Sequence, residues 1–382
     1  MSKTGLRLLS HWRLIVLIAA YSLAALFIIS LIQSPGLINE RAGVTKMVDF
    51  AAQKPFVYRV FVPLMIRAVE IMTPSGIHEP IESRFSDYLA RHSHSDLARM
   101  PQQKIAEVSR SGYRIIVFIL INWMFLVAFL FSLRYLAKTL NLFSSGLCDL
   151  LPLGMAVVMP IYFDYGNFIY DFSALFFFTL GLTFLYQNNW KAYLPLFAIA
   201  ILNKETAALL IVIFVIYYFG VLPKDKFWRL LLIQSAIFIV IKTALAVIFI
   251  DNAGSGMEWH LARNLSHLST LANYFRFESI GVVPLAPGGL NIPLPRGLNL
   301  PMLAIIAFLV FFGWKQKPRL LRVSAIIVPI FAVVGIFTCF IDELRSYYEA
   351  LPVVYLLGLA GAYCLIYPKN KRNGFLCENV GQ

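Results

Sequence analysis

The sequence predicts an all-α polytopic membrane protein of about ten transmembrane helices, and three observations support this prediction. Hydrophobic residues make up 59% of the 382-residue chain and charged residues only 14%, against roughly 25% charged in soluble domains. The apolar residues are gathered into runs long enough to enter or cross a bilayer. Lys and Arg collect between alternate runs, which is the bias of cytoplasmic loops.

The first apolar run covers residues 14–32 and follows Lys3, Arg7 and Arg13. It is too long for a typical signal-peptide core, and no A-x-A cleavage site follows it. We therefore expect an uncleaved first span with the N-terminus in the cytoplasm.

Residues 33–113 are hydrophilic and form the first predicted outer loop. Within it, residues 56–72 are amphipathic, with Arg59, Arg67 and Glu70 on one helical face. This pattern predicts an interfacial helix with Arg59 turned towards lipid phosphate. The alternative is a short buried helix of a soluble loop domain.

The remaining spans are predicted in order along the chain. They lie at 114–137, 147–163, 168–186, 193–202, 206–221, 227–250, 301–314, 322–341 and 350–367. The run 193–202 is too short to cross ~30 Å of hydrocarbon, so a short or tilted helix is expected there. Residues 251–300, rich in Pro, Gly and Asn, form a second outer loop. The whole chain, 1–382, is then a single polytopic membrane domain.

The distribution of cations sets the predicted orientation. The cytoplasmic segments would carry Lys138, Lys191, Lys224, Lys226, Arg229, Lys315, Lys317, Arg319, Arg322, Lys369, Lys371 and Arg372. The short loops of the other face carry only Lys204 and Arg345. Both termini are therefore expected in the cytoplasm, and the uncleaved first span and the absence of an endoplasmic-reticulum retention tail favour a bacterial inner (plasma) membrane. The same distribution assigns the net charge of +13 to orientation and lipid contact rather than to nucleic acid.

Five polar segments fall on the predicted outer face. They are residues 33–113, 164–171, 203–206, 251–300 and 342–349. Charged residues between apolar spans are costly, which favours one functional site on this face. The alternative is that short outer turns are simply polar. No His, Cys or carboxylate spacing indicates a metal site, and we expect neither a metal nor another cofactor.

Four motifs within these polar segments resemble motifs of a known family. They are Asp164-Tyr165-Gly166-Asn167-Phe168-Ile169-Tyr170-Asp171, Asn203-Lys204-Glu205-Thr206, the stretch from Asp49 to Pro63, and Glu343-Leu344-Arg345 with Tyr347. Their order and common sidedness are similar to those of bacterial GT-C-type membrane glycosyltransferases that use a polyprenyl-phosphate sugar. This chain has Asp171 where that turn usually has Asn, and its first loop has separated acids instead of an acidic pair.

The resemblance implies a GT-C-like fold and transfer of a sugar from a polyprenyl-phosphate donor to a lipid-linked or envelope acceptor. The acceptor, a glycan or a lipid, needs a carboxylate base, for which Asp49 is the first candidate and Glu40 the second. The leaving phosphate needs cationic donors, for which the candidates are Arg59, Lys204 and Arg345. The other predicted donor-binding residues are Asp164, Asn167, Asp171 and Glu205.

Other classes of membrane protein share parts of this pattern. A lipid-sugar transporter or flippase would want charged or broken spans at mid-bilayer, and only Lys242, inside an apolar run, fits that pattern. A polysaccharide polymerase or ligase, or a non-enzymatic assembly subunit, would also have large outer loops with acids and Arg. Membrane lipids are expected partners in every case.

Overall fold

A computed structural model describes residues 3–31, 39–91, 111–162, 167–281 and 291–367. These residues are mostly helical. The first eight helices are α1 (Lys3–Leu31), α2 (Val44–Val48), α3 (Phe61–Met72), α4 (Ser75–Arg91), α5 (Gly112–Thr139), α6 (Ser145–Tyr162), α7 (Asp171–Tyr186) and α8 (Trp190–Asn203). The others are α9 (Leu209–Tyr218), α10 (Lys224–Ile248), α11 (Leu261–Leu268), α12 (Leu300–Phe311), α13 (Arg319–Ser324), α14 (Ile327–Thr338) and α15 (Leu351–Ile366). One antiparallel hairpin, β1 (Phe277–Gly281) with β2 (Asn291–Pro295), precedes α12.

Six helical segments in the described part of the chain are long and apolar enough to cross a membrane, so the chain is an all-α membrane protein. They are His11–Ser30, Gly112–Thr139, Ser145–Tyr162, Lys224–Ile248, Arg319–Thr338 and Leu344–Ile366. Four shorter apolar helices occupy the other predicted spans, at Asp171–Tyr186, Trp190–Asn203, Glu205–Tyr218 and Leu300–Phe311. The count of ten spans stays a prediction.

Two helices form the centre of the bundle. Helix α7 is buried along most of its length and packs most extensively against α5. Helix α5 also packs against α1 and α6. By contrast, α10 keeps only a small part of its apolar surface inside the protein. Its exposed side chains, such as Val240 and Val247, form the surface expected of a lipid-facing helix.

The packing of α1 follows from its sequence periodicity. Leu17, Tyr21, Ala25 and Ile28 recur at helical spacing and are its buried positions against α5 and α6. The other face of α1 is apolar and exposed, with Trp12 near the beginning of its apolar stretch. A helix apolar on all sides but buried on one stripe is typical of a peripheral membrane helix.

The predicted interfacial helix begins later than expected. Residues Phe56–Tyr58 form a single 3₁₀ turn, and the helix itself starts at Phe61. Arg59 therefore lies outside α3, and its side chain, 11% exposed, points to Glu205 and not to lipid phosphate as predicted. Helix α3 does expose Leu64, Ile71 and Met72, as an interfacial helix requires.

The first predicted outer loop has its own small core. Met47 and Val57 are buried with Phe118 of α5, Phe168 beside α7 and Phe249 after α10. Hydrogen bonds also join the loop to the segment after α10: Asn252 Nδ2 donates to the carbonyls of Phe50 and Ala52 at 2.8 and 3.0 Å. The loop is thereby held over one end of the bundle.

At the opposite end of the bundle, a single carboxylate binds cations from two neighbouring helices. Asp149, near the beginning of α6, is 2.6 Å from Arg134 Nε and 2.9 Å from Lys138 Nζ, both near the end of α5. It also accepts a hydrogen bond of 2.6 Å from Arg13 Nε of α1. Its main-chain carbonyl accepts a hydrogen bond from the hydroxyl of Tyr21 at 2.7 Å. One acid thus ties three helices together.

We predict that Asp149→Asn lowers stability by roughly 1–3 kcal/mol, because three cations lose their shared counter-charge but remain partly hydrated. Thermal unfolding of the purified protein in detergent measures the change. Asp225→Asn, at an exposed Asp in the first turn of α10, is the matched control and should shift stability by less than about 0.5 kcal/mol. Equal shifts for the two variants would contradict the role of Asp149.

The orientation is tested separately by reporter fusions. Fusions after Arg229 and Lys317 should report the cytoplasm, and fusions between residues 255 and 281 the opposite compartment, because flanking Lys and Arg stay inside. An external signal after Lys317 would overturn the predicted threading.

Candidate functional site

The turn that leads into α7 is held by its own polar side chains. Asp171 Oδ2 accepts a hydrogen bond from the main-chain N–H of Phe168 at 2.7 Å, which closes the turn. Asn203, at the end of α8, donates from Nδ2 to the Tyr170 carbonyl at 3.1 Å. Its Oδ1 accepts from Ser173 Oγ at 2.7 Å. Asn203 therefore fixes the end of α8 to the beginning of α7, while Asp171 closes the turn that leads into α7.

Arg59 and Glu205 form the first ion pair around this turn. Arg59 Nη2 is 2.7 Å from Glu205 Oε1, and the guanidinium lies over the Tyr170 ring at 4.2 Å. Burial alone would lower the pKa of Arg59, but the Glu205 carboxylate raises it well above its usual value. The guanidinium is thus charged at any pH at which the protein functions.

Lys204 and Glu349 form a second and more deeply buried pair. Lys204 Nζ lies 3.1 Å from Glu349 Oε1, and the two side chains are only 8% and 1% exposed. Thr206 Oγ1 donates to the same carboxylate oxygen. The ammonium also lies 3.8 Å from the centre of the Tyr348 ring, in a cation–π contact.

Arg345 connects the final polar segment to the same turn. Its Nη1 atom is 3.8 Å from Asp171 Oδ2, and its Nη2 atom pairs with Glu343. The guanidinium lies over the Phe168 ring at 4.3 Å. Each of the three cations thus sits against an aromatic ring and at least one carboxylate.

These residues form what we call the buried charge cluster: Arg59, Asp171, Lys204, Glu205, Glu343, Arg345 and Glu349. Its members come from four separate segments of the chain. Two polar atoms in it, Arg345 Nη1 and Glu349 Oε2, are buried and have no hydrogen-bond partner among the residues that the structure describes. An unused N–H donor and an unused carboxylate oxygen are groups with which a polar ligand could bond.

Lys242 lies at the edge of the buried charge cluster. Its ammonium is 4.9 Å from the Tyr58 ring and interacts electrostatically with Glu205 and Arg59. Although it stands within the apolar sequence of α10, it therefore faces the protein interior near one end of its helix. This arrangement agrees with the rule that ionisable residues in spans face protein or water.

The two candidate bases are in the first loop rather than in the buried charge cluster. Asp49 follows α2, and its side chain, 47% exposed, pairs with Arg114 of α5 at 2.9 Å. Arg114 binds Glu70 of α3 at the same distance. Glu40 is exposed in the turn before α2, and its carbonyl accepts a hydrogen bond from Lys46 Nζ at 2.6 Å. Asp49 is therefore paired with a cation of α5 that is not a member of the cluster.

The turn before α7 also contains Asn167, another predicted donor-binding residue. Asn167 is buried directly before Phe168, within the turn that carries Asp171. Asp164 lies outside the described residues. The second loop approaches the same region, since Arg296 Nη1 donates to the carbonyl of Pro160 in the last turns of α6 at 3.3 Å.

The sequence analysis did not single out Glu349 or the aromatic partners Tyr170, Tyr348 and Phe168. Glu349 does carry a signal, since it is the last acid before the apolar run 350–367 and lies at the start of a span, where an unpaired charge is costly. The aromatic rings lack such a signal in a chain with 32 Phe and 18 Tyr.

In chemical terms, the buried charge cluster offers fixed cations and carboxylates beside the beginning of α7. Buried ion pairs contribute little net stability compared with apolar packing, so their concentration here points to a role beyond holding the fold. In the described part of the chain, no three His, Cys, Asp or Glu side chains are grouped in a way that could hold a metal ion.

Comparison with known proteins gave no relative: no family model, no curated protein and no solved structure matches the chain.

The Lys204–Glu349 pair can be tested by a double-mutant cycle. We predict that Lys204→Met and Glu349→Gln each cost roughly 3–5 kcal/mol of stability, because each leaves a buried partner uncompensated. The double variant should cost clearly less than the sum of the two. Thermal unfolding in detergent gives all four corners of the cycle.

The control combines Lys204→Met with Asp149→Asn, at opposite ends of the bundle, and these two effects should add. Additive effects of Lys204→Met and Glu349→Gln would contradict the pairing.

Proposed function

We propose that the chain is a membrane glycosyltransferase that moves a sugar from a polyprenyl-phosphate donor to a lipid-linked or envelope acceptor. The supporting observation is the convergence of Arg59, Lys204 and Arg345, three cations from three distant segments, around the turn at Asp171. A phosphate leaving group needs such fixed cations, whose effect is strong where water is excluded.

In the proposed complex, the donor phosphate binds to the cations of the cluster. Arg345 Nη1 has no hydrogen-bond partner among the described residues and can donate to a phosphate oxygen. Lys204 and Arg59 would exchange part of their carboxylate contacts for the phosphate. The carboxylates of Asp171, Glu205 and Glu349 then hold the cations in place. When no donor is bound, they also disfavour the binding of other anions to the cluster.

The base of the proposed reaction is Asp49, with Glu40 as the second candidate. The Asp49 carboxylate is half exposed, so an acceptor hydroxyl can reach it, and the ion pair with Arg114 orients it. The sugar would then lie between the first loop and the buried charge cluster. The proposal also places this site on the membrane face opposite the Lys- and Arg-rich loops.

Donor binding and transfer are measured separately. The protein is reconstituted in nanodiscs with a synthetic polyprenyl-phosphate hexose, and bound donor is quantified by native mass spectrometry. Arg345→Gln should weaken donor binding by roughly 1.5–3 kcal/mol, or about 10- to 150-fold, because one charge-assisted hydrogen bond is lost. Arg345→Lys, which keeps the charge, should lose less. Absence of saturable donor binding to the wild type would refute the proposal.

Transfer is followed as release of polyprenyl phosphate in the presence of a membrane-extract acceptor. Asp49→Asn should bind donor normally and lose about 10²–10⁴ in rate. Glu70→Gln is the matched control, since it removes the other carboxylate bound to Arg114 and should keep most of the rate. If Asp49→Asn keeps turnover and Glu40→Gln loses it, the base is Glu40.

A further inference from the structure

Residues 257–277, which end at the first residue of β1, have an unusual distribution of side chains for a loop. Six large apolar side chains in this segment are more than half exposed: Met257, Trp259, Leu265, Leu271, Phe275 and Phe277. They occur within 21 positions of a segment that also contains charged and amide residues. Soluble surfaces seldom collect so many exposed apolar side chains, and such collections mark interaction sites.

One polar side chain of this segment points inwards and anchors it. Asn264 of α11 is 1% exposed. Its Nδ2 donates to the carbonyls of Ile336 and Cys339 at 2.8 and 2.7 Å, and its Oδ1 accepts from the N–H of Ile341. The next residue, Leu265, is 55% exposed. Helix α11 is therefore fixed to the end of α14 by the buried Asn264. Its outer side combines the exposed Leu265 with the exposed polar residues Arg263 and Ser266, a mixture that suits the boundary between water and lipid.

This arrangement continues a surface that already faces lipid. Helix α14 exposes Val333, Val334 and Phe337 on one side. The Trp259 ring packs against Phe337 at 5.4 Å, and the N–H of His260 donates to the Phe337 carbonyl at 2.7 Å. The exposed side of α14 thus passes without interruption into the segment, through a Trp at the end of an apolar helix, the position at which Trp is enriched in membrane proteins.

The charges of the segment fit the same environment. Arg263, exposed on α11, lies over the Phe340 ring at 3.9 Å, so its guanidinium is held beside the apolar side chains. A cation at the border of an apolar surface can reach lipid phosphates while the apolar side chains enter the acyl region.

From these observations we infer that residues 257–277 form a second interfacial platform, which lies on the phospholipid bilayer with α11 parallel to the membrane plane. The occupant of the exposed apolar surface is the boundary between lipid headgroups and acyl chains. This inference does not depend on the proposed activity, and donor binding can fail without affecting it.

Spin-label accessibility tests the platform directly. Nitroxide labels are placed singly at Leu265 and Leu271 of the full chain, in a background with the four cysteines replaced by Ala, in phospholipid nanodiscs. Power saturation compares collisions with oxygen, which concentrates in lipid, and with a water-soluble nickel chelate. Val240, exposed on α10, is the lipid-facing control, and Ser255, exposed in the loop, is the water-facing control.

The platform predicts that the labels at 265 and 271 resemble Val240, with several-fold more collisions with oxygen than with nickel relative to Ser255. Values equal to those at Ser255 would overturn it. Low accessibility to both reagents together with dipolar broadening between labels would also overturn it, in favour of a second copy of the chain. If the cysteine-free protein does not fold, the same positions are labelled through genetically encoded p-acetylphenylalanine.

Discussion

A charge withdrawn from water inside an apolar bundle must find a counter-charge, and this constraint governs the arrangement of the protein. Arg59, Lys204 and Arg345 are each largely buried, and each lies against a carboxylate from a different segment of the chain. Removal of one partner would leave the other uncompensated in a medium of low dielectric constant. The first loop, the α8–α9 connection and the segment before α15 are therefore linked to the beginning of α7.

The two ends of the bundle meet this constraint differently. At one end Asp149 is surrounded by Arg13, Arg134 and Lys138, whose side chains are 48%, 23% and 27% exposed and can keep part of their hydration. At the other end Lys204 and Glu349 are almost fully enclosed. The partly hydrated charges around Asp149 are sufficient to join helices. The Lys204–Glu349 pair instead fixes charges in an environment from which water is excluded, which catalysis and phosphate binding both require. The difference is why the proposed site is assigned to the second end.

Two segments at that end of the bundle expose large apolar side chains. Helix α3 exposes Leu64, Ile71 and Met72, and the segment with α11 exposes Trp259 and Leu265. Both segments are anchored to the bundle by buried residues, the first through its core with α5 and the turn before α7, and the second through Asn264. A lipid-linked substrate would keep its polyprenyl chain in the bilayer while its phosphate reached the buried charge cluster, and amphipathic segments beside a site suit such a substrate.

The sequence by itself determined the helical membrane class, the positions of most spans and the cations and carboxylates worth following, since apolar runs and isolated charges are local signals. It did not determine their partners. Arg59 looked like a lipid-facing residue, but a 3₁₀ turn before α3 directs it to Glu205, 146 residues away. Glu349 likewise gained its importance only as the partner of Lys204, and Asp49 was found with Arg114 rather than in the cluster. Such pairs depend on the rotation and termination of helices packed against one another, which only the tertiary structure decides.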